Sequence, residues 1–254
     1  MNFLKKLNKK IKFLKKKREI NLNDEKFIIQ QKNYTKTERE KPIKRTDIIN
    51  FLLSLEKKDK KYLEIGVRNR KSNFDLIKSK TKYSVDPAVN LSNHNDHFQL
   101  TSDDFFSNLK SNKILSSNIK FDVIFVDGLH LAEQVEKDIK NSLEFIEDDG
   151  FIVLHDCNPP SEWHARETYS YYSSPAKDAW NGTVWKAFLN IRFNSSLQSC
   201  CIDTDWGVGI ISKKHLIGNS IPNNNHYFEF ETLKKDKKRN LNLLTFNKFK
   251  SFFK

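Results

Sequence analysis

The sequence predicts an α/β fold: a mostly parallel sheet with helices on both faces and an antiparallel last strand. Short apolar segments alternate with amphipathic segments over residues 61–155, a pattern typical of parallel strands joined by right-handed crossovers. The segments 121–127 and 151–155 are apolar throughout, as in strands covered on both faces. Two further segments, 197–203 and 206–212, are separated by little more than a turn, so we expect them to pair antiparallel.

The elements before the sheet are predicted from spacing. Leu4, Leu7, Ile11 and Leu14 recur at helical spacing with lysines between them, which indicates a basic amphipathic helix. Residues 20–43 are polar without a clear period and are interpreted as a linker. A helix follows over 45–58, with Thr46 or Asp47 as candidate N-caps.

The remaining elements alternate. Strands are predicted at 61–65, 82–86, 97–100, 121–127 and 151–155, and helices near 72–80, 102–115, 131–147 and 182–192. We therefore divide the chain into a basic amphipathic helix and linker (1–44), one α/β domain (45–215) and a basic C-terminal extension (216–254).

The charge of the chain is concentrated at its ends. The 254 residues include 45 Lys and Arg against 32 Asp and Glu, for a net charge of +13. Residues 1–19 carry +8 and residues 233–254 carry +7, so the rest of the chain sums to −2. A near-neutral body argues against a nucleic-acid enzyme with a basic groove built into its fold. The basic segment 1–20 suits peripheral contact with an anionic membrane, although AT-rich coding also produces lysine-rich ends.

The sequence favours a cytoplasmic protein. No signal peptide is predicted, and no segment reaches the ~18 uninterrupted apolar residues of a membrane span. The three cysteines, two of them adjacent, form neither a disulfide framework nor a CxxC metal motif.

Ligand binding is predicted at the carboxyl edge of the sheet. Gly66 and Gly128 each follow a strand directly, and ligands of open parallel sheets bind at that edge. A dinucleotide fingerprint is absent, because Val67, Arg68 and Asn69 follow Gly66. Glu64 would repel a phosphate but suits a ligand that carries an ammonium group. Asp86 ends the second strand, where a carboxylate can bind ribose hydroxyls.

Seven segments in order resemble the class I S-adenosylmethionine-dependent methyltransferases with a Rossmann-like sheet, of the methyltransferase domain 24 type found with bacterial glycan and natural-product pathways. The resemblance covers residues 45–212 and is carried by "LEIGVRN", "SVDP", "TSDDFF", "FVDGLHLAEQVEKDI", "GFIVLHDCNP", "WNGTVWKA" and "DWGVGII".

The resemblance implies S-adenosylmethionine as cofactor and places it along this edge. Glu64 and Gly66 would lie by its methionine part, Asp86 by the ribose, and Ser102 or Asp103 by the adenine. The full set of predicted cofactor-binding residues is Glu64, Gly66, Arg68, Asn69, Asp86, Ser102, Asp103, Asp127 and Gly128. Arg70 stands where the family usually has a small residue, so it either crowds the cofactor or points to solvent.

The resemblance also brings the ends of two adjacent strands together, so Asp127, His130, His155 and Asp156 would converge. Related O-methyltransferases bind a divalent metal there, and Asp127 and Asp156 match two of the ligand positions for Mg²⁺. Cys157 falls at the third, where a thiol is a poor ligand for a hard cation. Without metal, His130 or His155 beside Asp156 would act as general base. Alternatively, His155 and Asp156 form only a hydrogen-bonded pair at the strand end.

Residues 158–182 are predicted to cover this edge, and their aromatic residues suit a sugar or another ring substrate. The sequence thus favours a methyltransferase that O-methylates a sugar or glycan-type acceptor. The alternative is a catalytically inactive protein of the same fold that acts as a scaffold through its basic ends; Arg70 favours this second interpretation.

Overall fold

The computed structural model describes residues 25–56, 59–88, 94–193 and 196–253. The basic amphipathic helix predicted for the N-terminus lies outside the described residues. No helix among the described residues is long and apolar enough to span a membrane.

The described strands form one sheet in the order β3-β2-β1-β4-β5-β7-β6-β8. Their bounds are β1 Lys61–Ile65, β2 Thr81–Val85, β3 His97–Phe98, β4 Phe121–Val126, β5 Ile146–Leu154, β6 Gln198–Ile202, β7 Val208–Ser212 and β8 Leu243–Leu244. In sheet order, β3, β2, β1, β4 and β5 are parallel neighbours, and β7 lies antiparallel between β5 and β6. The predicted fold class, a mostly parallel Rossmann-like α/β sheet with helices on both faces, is confirmed, and the antiparallel strand is β7.

Helices lie around this sheet. Residues 25–40 are helical (α1), and the later helices are α2 Arg45–Leu53, α3 Ser102–Lys110, α4 Ala132–Phe145, α5 Val184–Arg192, α6 Phe230–Lys235, α7 Lys237–Asn240 and α8 Phe246–Lys250. Short 3₁₀ turns occupy Arg70–Ser72, Phe74–Leu76 and Ser251–Phe253.

The sheet is covered on both faces, as its apolar strands require. In β4, Ile124 and Val126 pack into a core with α3, α4 and α5, whereas Val123 and Phe125 pack into a second core with α2 and α8. This alternation follows from the period of two in a strand. Both faces of the central strands are thereby removed from water, and the polar residues that follow them are left at the carboxyl edge.

Two predicted segments differ from the structure. The linker predicted over 20–43 contains the helix 25–40, whose inward face carries Gln31, Thr35 and Glu38, all buried. Because that face is polar, hydropathy shows no helical period there. The helix predicted near 72–80 is replaced by two 3₁₀ turns, because Asn69 caps the first and the buried Asn73 separates it from the second.

The start of α2 also differs from the prediction. Neither Thr46 nor Asp47 is the N-cap; Lys44 is. Asp47 lies three residues after the N-cap, and its carboxylate accepts a hydrogen bond from the backbone N–H of Lys44 at 2.8 Å. The Thr46 hydroxyl instead donates to Asn73 at 2.6 Å, so this residue links α2 to the loop after β1.

The C-terminal residues complete both the sheet and one core. Strand β8 pairs parallel with β6, and Phe249 of α8 is fully buried in the second core. The domain boundaries assigned at 44 and 215 stay predictions.

Candidate functional site

A cavity of about 1170 Å³ opens at the carboxyl ends of β1, β2, β4 and β5. Every residue predicted to bind cofactor or metal or to act in catalysis lines it: Glu64, Gly66, Arg68, Asn69, Asp86, Ser102, Asp103, Asp127, Gly128, His130, His155 and Asp156. The structure therefore brings all of these predicted residues together, while their roles remain proposals.

Glu64 is a buried carboxyl group on the cavity wall. Its Oε2 accepts hydrogen bonds from the Tyr62 hydroxyl at 2.6 Å and from Asn73 Nδ2 at 2.9 Å. Burial raises the pKa of Glu64 to about 7, and these two hydrogen bonds limit the rise. A cation placed beside this carboxyl group would favour its ionised form.

Glycine is required at position 66 because the backbone of another strand end lies very close to it. Its φ is +88°, a region that favours glycine, and a Cβ here would collide with the Asp127 carbonyl and with Gly128. The ends of β1 and β4 can therefore lie in contact, which sets the cavity floor.

The far end of the cavity holds polar groups suited to a nucleoside. Asp86 accepts the Val67 N–H at 2.9 Å and the Ala88 N–H at 2.8 Å, which orients its carboxylate. Gln134 Nε2 donates to Ser102 Oγ at 3.2 Å and to Asp103 Oδ1 at 3.1 Å. Ser102 and Asp103 are thus fixed in the first turn of α3.

Arg70 is turned away from the cavity. Its guanidinium forms a two-pronged pair with Asp96, at 2.9 and 2.8 Å, and a third bond to Asp75 at 3.1 Å. It also lies 4.3 Å from the ring centroid of Phe74. Neither predicted orientation describes it fully: Arg70 does not crowd the cavity, but it is paired rather than free in solvent. The feature that favoured an inactive scaffold is thereby removed.

The ends of β4 and β5 form a charged cluster. His155 Nδ1 lies 3.1 Å from Asp156 Oδ2 and 3.3 Å from Asp127 Oδ1. On its other side, Nε2 of His155 lies 3.0 Å from the Arg45 guanidinium and 3.5 Å from Asp205 Oδ2, and Arg45 donates to Asp205 at 3.2 Å. Burial and Arg45 oppose a charge on the ring, but Asp156 and Asp127 outweigh them and raise the pKa of His155 well above its usual value. Both ring nitrogens of His155 are engaged within the protein.

His130 faces the cavity more openly than His155. Its Nδ1 lies 3.0 Å from the Trp180 carbonyl, which assigns a proton to that nitrogen, and its ring stacks on Trp180 with centroids 5.2 Å apart. Its Nε2 lies 3.3 Å from Asp127 Oδ1. Burial opposes the charge, but Asp156 and Asp127 outweigh it and raise the pKa of His130 to about 9. The predicted neutral imidazole near pH 7 therefore does not hold for His130 in the ligand-free protein.

The site also offers a donor set for a metal ion. Asp127, His130 and Asp156 each present one ligand atom, all within 4.8 Å of one another. Cys157 is not part of this set, because its thiol is buried beneath Gly209. The next residue, Asn158, donates its Nδ2 to Asp203 at 3.1 Å. Asn181 is fully buried and donates to Asp156 at 2.7 Å, while its Oδ1 has no partner among the described residues.

The backbone at Asp156 is held in an unusual conformation. Its φ is +63°, which a non-glycine residue rarely adopts. The next two backbone N–H groups, of Cys157 and Asn158, donate to Gly207 and Trp206 at 2.9 Å each. The turn before β7 thus supplies the partners that the polar end of β5 needs.

Arg166 organises the loop of residues 158–182 that covers the site, which we call the cover loop. Its guanidinium donates to four backbone carbonyl groups, at 2.6 to 2.8 Å, those of Trp163, Tyr169, Lys177 and Ala179. The loop places Tyr169 and Trp180 on the cavity wall. At the loop end, Gly182 has φ +60°, and a Cβ there would collide with the His130 carbonyl.

Helix α1 closes the cover from outside. Thr35 Oγ1 lies 3.0 Å from His164 Nε2, and Ser161 Oγ donates to Gln31 at 2.5 Å. Arg39 pairs with Asp178 at 2.8 Å at the cavity mouth. A segment interpreted from sequence as a linker therefore borders the site.

Sequence reasoning missed several residues of the site. They are Arg39, Arg45, Asn73, Gln134, Asn181 and Asp205. Arg39, Arg45 and Asn73 reach the site from segments that carry no site motif. Gln134, Asn181 and Asp205 had a local signal, since they lie in the segments "FVDGLHLAEQVEKDI", "WNGTVWKA" and "DWGVGII" that carry the resemblance.

Residues 50–157 match a family model described as a methyltransferase domain, of type 24. A search of the curated proteins finds no match. Among solved structures, the methyltransferase PaMTH1 of Podospora anserina bound to SAH is 14% identical, covering 77% of this chain and 94% of that chain with a TM-score of 0.46.

Two other solved structures are similar at the same level. An O-methyltransferase of Bacillus cereus in complex with SAH is 13% identical and covers 74% of this chain and 89% of that chain, with a TM-score of 0.43. MycE, a methyltransferase of the mycinamycin biosynthetic pathway in complex with Mg, SAH and mycinamycin VI, is 15% identical with a TM-score of 0.40. The match covers 71% of this chain and about half the length of MycE, 50%. The family match and the strand order together confirm the resemblance to class I methyltransferases.

Proposed function

We propose that this chain, which carries a class I methyltransferase domain, transfers the methyl group of S-adenosylmethionine to a hydroxyl group of a sugar or glycan-type acceptor. The observation that carries the proposal is the single cavity in which the cofactor-type residues and the Asp127–His130–Asp156 cluster meet. The cavity, at about 1170 Å³, exceeds the volume of a typical small-molecule site and leaves room for a cofactor and an acceptor.

The cofactor would lie along the carboxyl ends of β1 and β2. Glu64 would face its ammonium group, the Asp86 carboxylate would accept hydrogen bonds from its ribose, and Ser102 and Asp103 would border its adenine. The glycine at 66 leaves the approach along β1 free of a side chain. SAH in two similar solved structures is consistent with this cofactor.

His130 is the better candidate for the general base. The Trp180 carbonyl holds its Nδ1–H, so Nε2 is the nitrogen that can accept the acceptor's hydroxyl proton. Its raised pKa depends on Asp156 and Asp127, and the positive charge of S-adenosylmethionine beside those carboxylates would lower it toward neutrality. His155, engaged at both nitrogens, would position the two carboxylates.

The same edge fits a divalent cation. Asp127, His130 and Asp156 would hold it, and Asn181, whose buried Oδ1 lacks a partner among the described residues, would support Asp156. Carboxylates suit Mg²⁺, and the imidazole also suits softer ions. Such an ion would acidify a bound hydroxyl group, and His130 would then serve as a ligand instead of a base.

Much of the rate would come from positioning and from exclusion of water. The cover loop places Tyr169 and Trp180 where a sugar ring can pack, and α1 closes it from outside. The cytoplasmic location and the contact of residues 1–20 with an anionic membrane remain parts of this proposal.

The proposal is tested by methyl transfer from radiolabelled S-adenosylmethionine to a panel of sugars and sugar phosphates, with and without Mg²⁺. We expect incorporation that falls about 10²-fold or more in His130→Gln, because general base catalysis contributes that much. His94→Gln, which does not line the cavity, is the matched control. Equal turnover in His130→Gln and wild type would remove His130 from the chemistry.

A further inference from the structure

A second cleft, which nothing above assigns, lies beside the active-site cavity. It has a volume of about 520 Å³ and is formed by one face of α1 and by residues 171–178 of the cover loop. Four cationic side chains line it, together with two carboxylates: Lys32, Lys36, Arg39 and Lys177, with Glu40 and Asp178.

The charge in this cleft is unbalanced. Lys36 lies 3.7 Å from Glu40, with both side chains more than half exposed, so this pair contributes little. Arg39 pairs with Asp178 at 2.8 Å. The structure shows no carboxylate paired with Lys32 or Lys177 among the described residues, and the cleft carries a net charge of +2. On the active-site floor, in contrast, each cationic group already has a carboxylate partner: Arg45 lies beside Asp205, and His130 and His155 lie beside Asp127 and Asp156.

The cleft and the cavity are continuous. Arg39 and Asp178 line both, so their ion pair stands at the junction. Aromatic side chains continue across it: Tyr169 lines the cavity, Tyr171 lines the cleft, and their ring centroids are 6.3 Å apart. One extended ligand could therefore occupy both spaces.

We propose that this second cleft binds a phosphate group of the acceptor, so that the acceptor is a phosphorylated sugar. The inference rests on the proposed function and deepens it. The lysines of the cleft attract a phosphate, whereas the cations of the floor are already paired with carboxylates, so the phosphate end of the acceptor is favoured in the cleft. With phosphate in the cleft, the sugar ring lies against Tyr169 and its far hydroxyl group is directed toward His130.

A phosphorylated sugar can be free, nucleotide-linked or lipid-linked. The chemistry that the cleft recognises, a phosphate attached to a ring, is common to all three. The test therefore uses glucose 1-phosphate, uridine diphosphate glucose, and vesicles bearing a polyprenyl-diphosphate-linked sugar, each titrated into the full chain with SAH present.

The variant is Lys32→Gln/Lys36→Gln, since both residues are exposed on one helix and glutamine keeps helix propensity. The matched control is Lys26→Gln/Lys140→Gln, which removes the same charge from exposed residues that line neither space. Binding is measured by calorimetry for the two soluble ligands and by co-sedimentation for the vesicles.

We expect glucose 1-phosphate or a linked form to bind at least about tenfold more tightly than glucose, as charge-assisted contacts to phosphate provide. The Lys32/Lys36 variant should lose this preference and the control should keep it. The ligand that binds most tightly shows whether the phosphorylated sugar is free, nucleotide-linked or lipid-linked.

Equal binding of glucose and all three phosphorylated ligands would overturn the inference, as would equal losses in variant and control. S-adenosylmethionine binding is measured on the same samples. If it is intact while phosphate discrimination is absent, only the phosphate cleft fails. If S-adenosylmethionine does not bind, the proposed function fails.

Discussion

At the scale of single residues, we expect Glu64 to couple ligand binding to a proton. Its pKa of about 7 means that about half of the ligand-free molecules carry a protonated Glu64 at pH 7, whereas a cationic ligand binds best to the carboxylate. Below pH 7 the proton must be released on binding. The affinity for S-adenosylmethionine should therefore fall about tenfold for each unit by which the pH drops below 7, and it should be nearly constant above pH 7.

This prediction is checked by calorimetric titration of S-adenosylmethionine between pH 5.5 and 8.5 in buffers of different ionisation enthalpy. Glu64→Gln should remove the pH dependence and weaken binding. Tyr62→Phe removes a hydrogen bond to the carboxylate, so it should move the transition to higher pH. A flat profile in the wild type would show that Glu64 does not titrate with binding.

The positions of site residues could be predicted where polar side chains lie at the ends of strands. Glu64, Asp86, Asp127 and Asp156 all lie at strand ends, and a parallel sheet brings such ends to one edge. Arg45 and Asn181 reach the site from α2 and from the cover loop, and only tertiary contacts place them there. The sequence also suggested neutral histidines, although Asp127 lies only three residues before His130; it is the distances in the folded protein that let Asp127 and Asp156 hold the proton on His130.

At the scale of elements, the cover loop depends on one side chain. Arg166 holds four carbonyl groups of residues 163–179, and the loop has little other regular structure. Arg166→Met should leave these carbonyls to water and open the loop, because the other backbone bonds of the segment are mostly local turns and Arg166 joins its two halves.

We expect faster amide exchange across 163–179 and loss of methyl transfer in Arg166→Met. S-adenosylmethionine binding should be retained, since that part of the cavity is built from β1 and β2. Arg239→Met changes an exposed arginine and is the matched control. Unchanged exchange in the 163–179 segment would show that the loop is held by its aromatic packing instead.

Elements with apolar faces could be predicted and polar ones could not. Strands β1, β2, β4 and β5 were predicted to within one residue at their carboxyl ends. For β4 and β5 the reason is that burial on two faces leaves an apolar run. Helix α1 was missed because Gln31, Thr35 and Glu38 are buried through hydrogen bonds and an ion pair. The segment after Gly66 was assigned a helix, but Asn69 and Asn73 break it into 3₁₀ turns.

At the scale of the whole molecule, the C-terminal residues are bound into the second core. Phe51 of α2 contacts the rings of Phe246, Phe249 and Phe253, with centroids 5.6 to 6.2 Å apart. Phe249→Ala should lower the free energy of unfolding by about 3 to 5 kcal/mol, the usual range for a fully buried phenylalanine.

Phe252→Ala is the matched control in the same segment, because Phe252 is 40% exposed. It should cost about 1 kcal/mol or less. Urea unfolding of both variants measures the difference. Equal and small losses would indicate that residues 245–253 stabilise the fold little.

The central claim is that the edge of this sheet binds S-adenosylmethionine, and a calorimetric titration of that ligand into the full chain tests it most directly. We predict saturable binding to the wild type. The affinity should weaken about tenfold or more in Asp86→Asn, because this change removes the charge offered to the ribose. It should be unchanged in Asp148→Asn, because Asp148 is an exposed aspartate outside the cavity. Repeating the titration with Mg²⁺ separates the metal from the cofactor. An absence of binding heat under both conditions, or equal affinity in Asp86→Asn and wild type, would contradict the account.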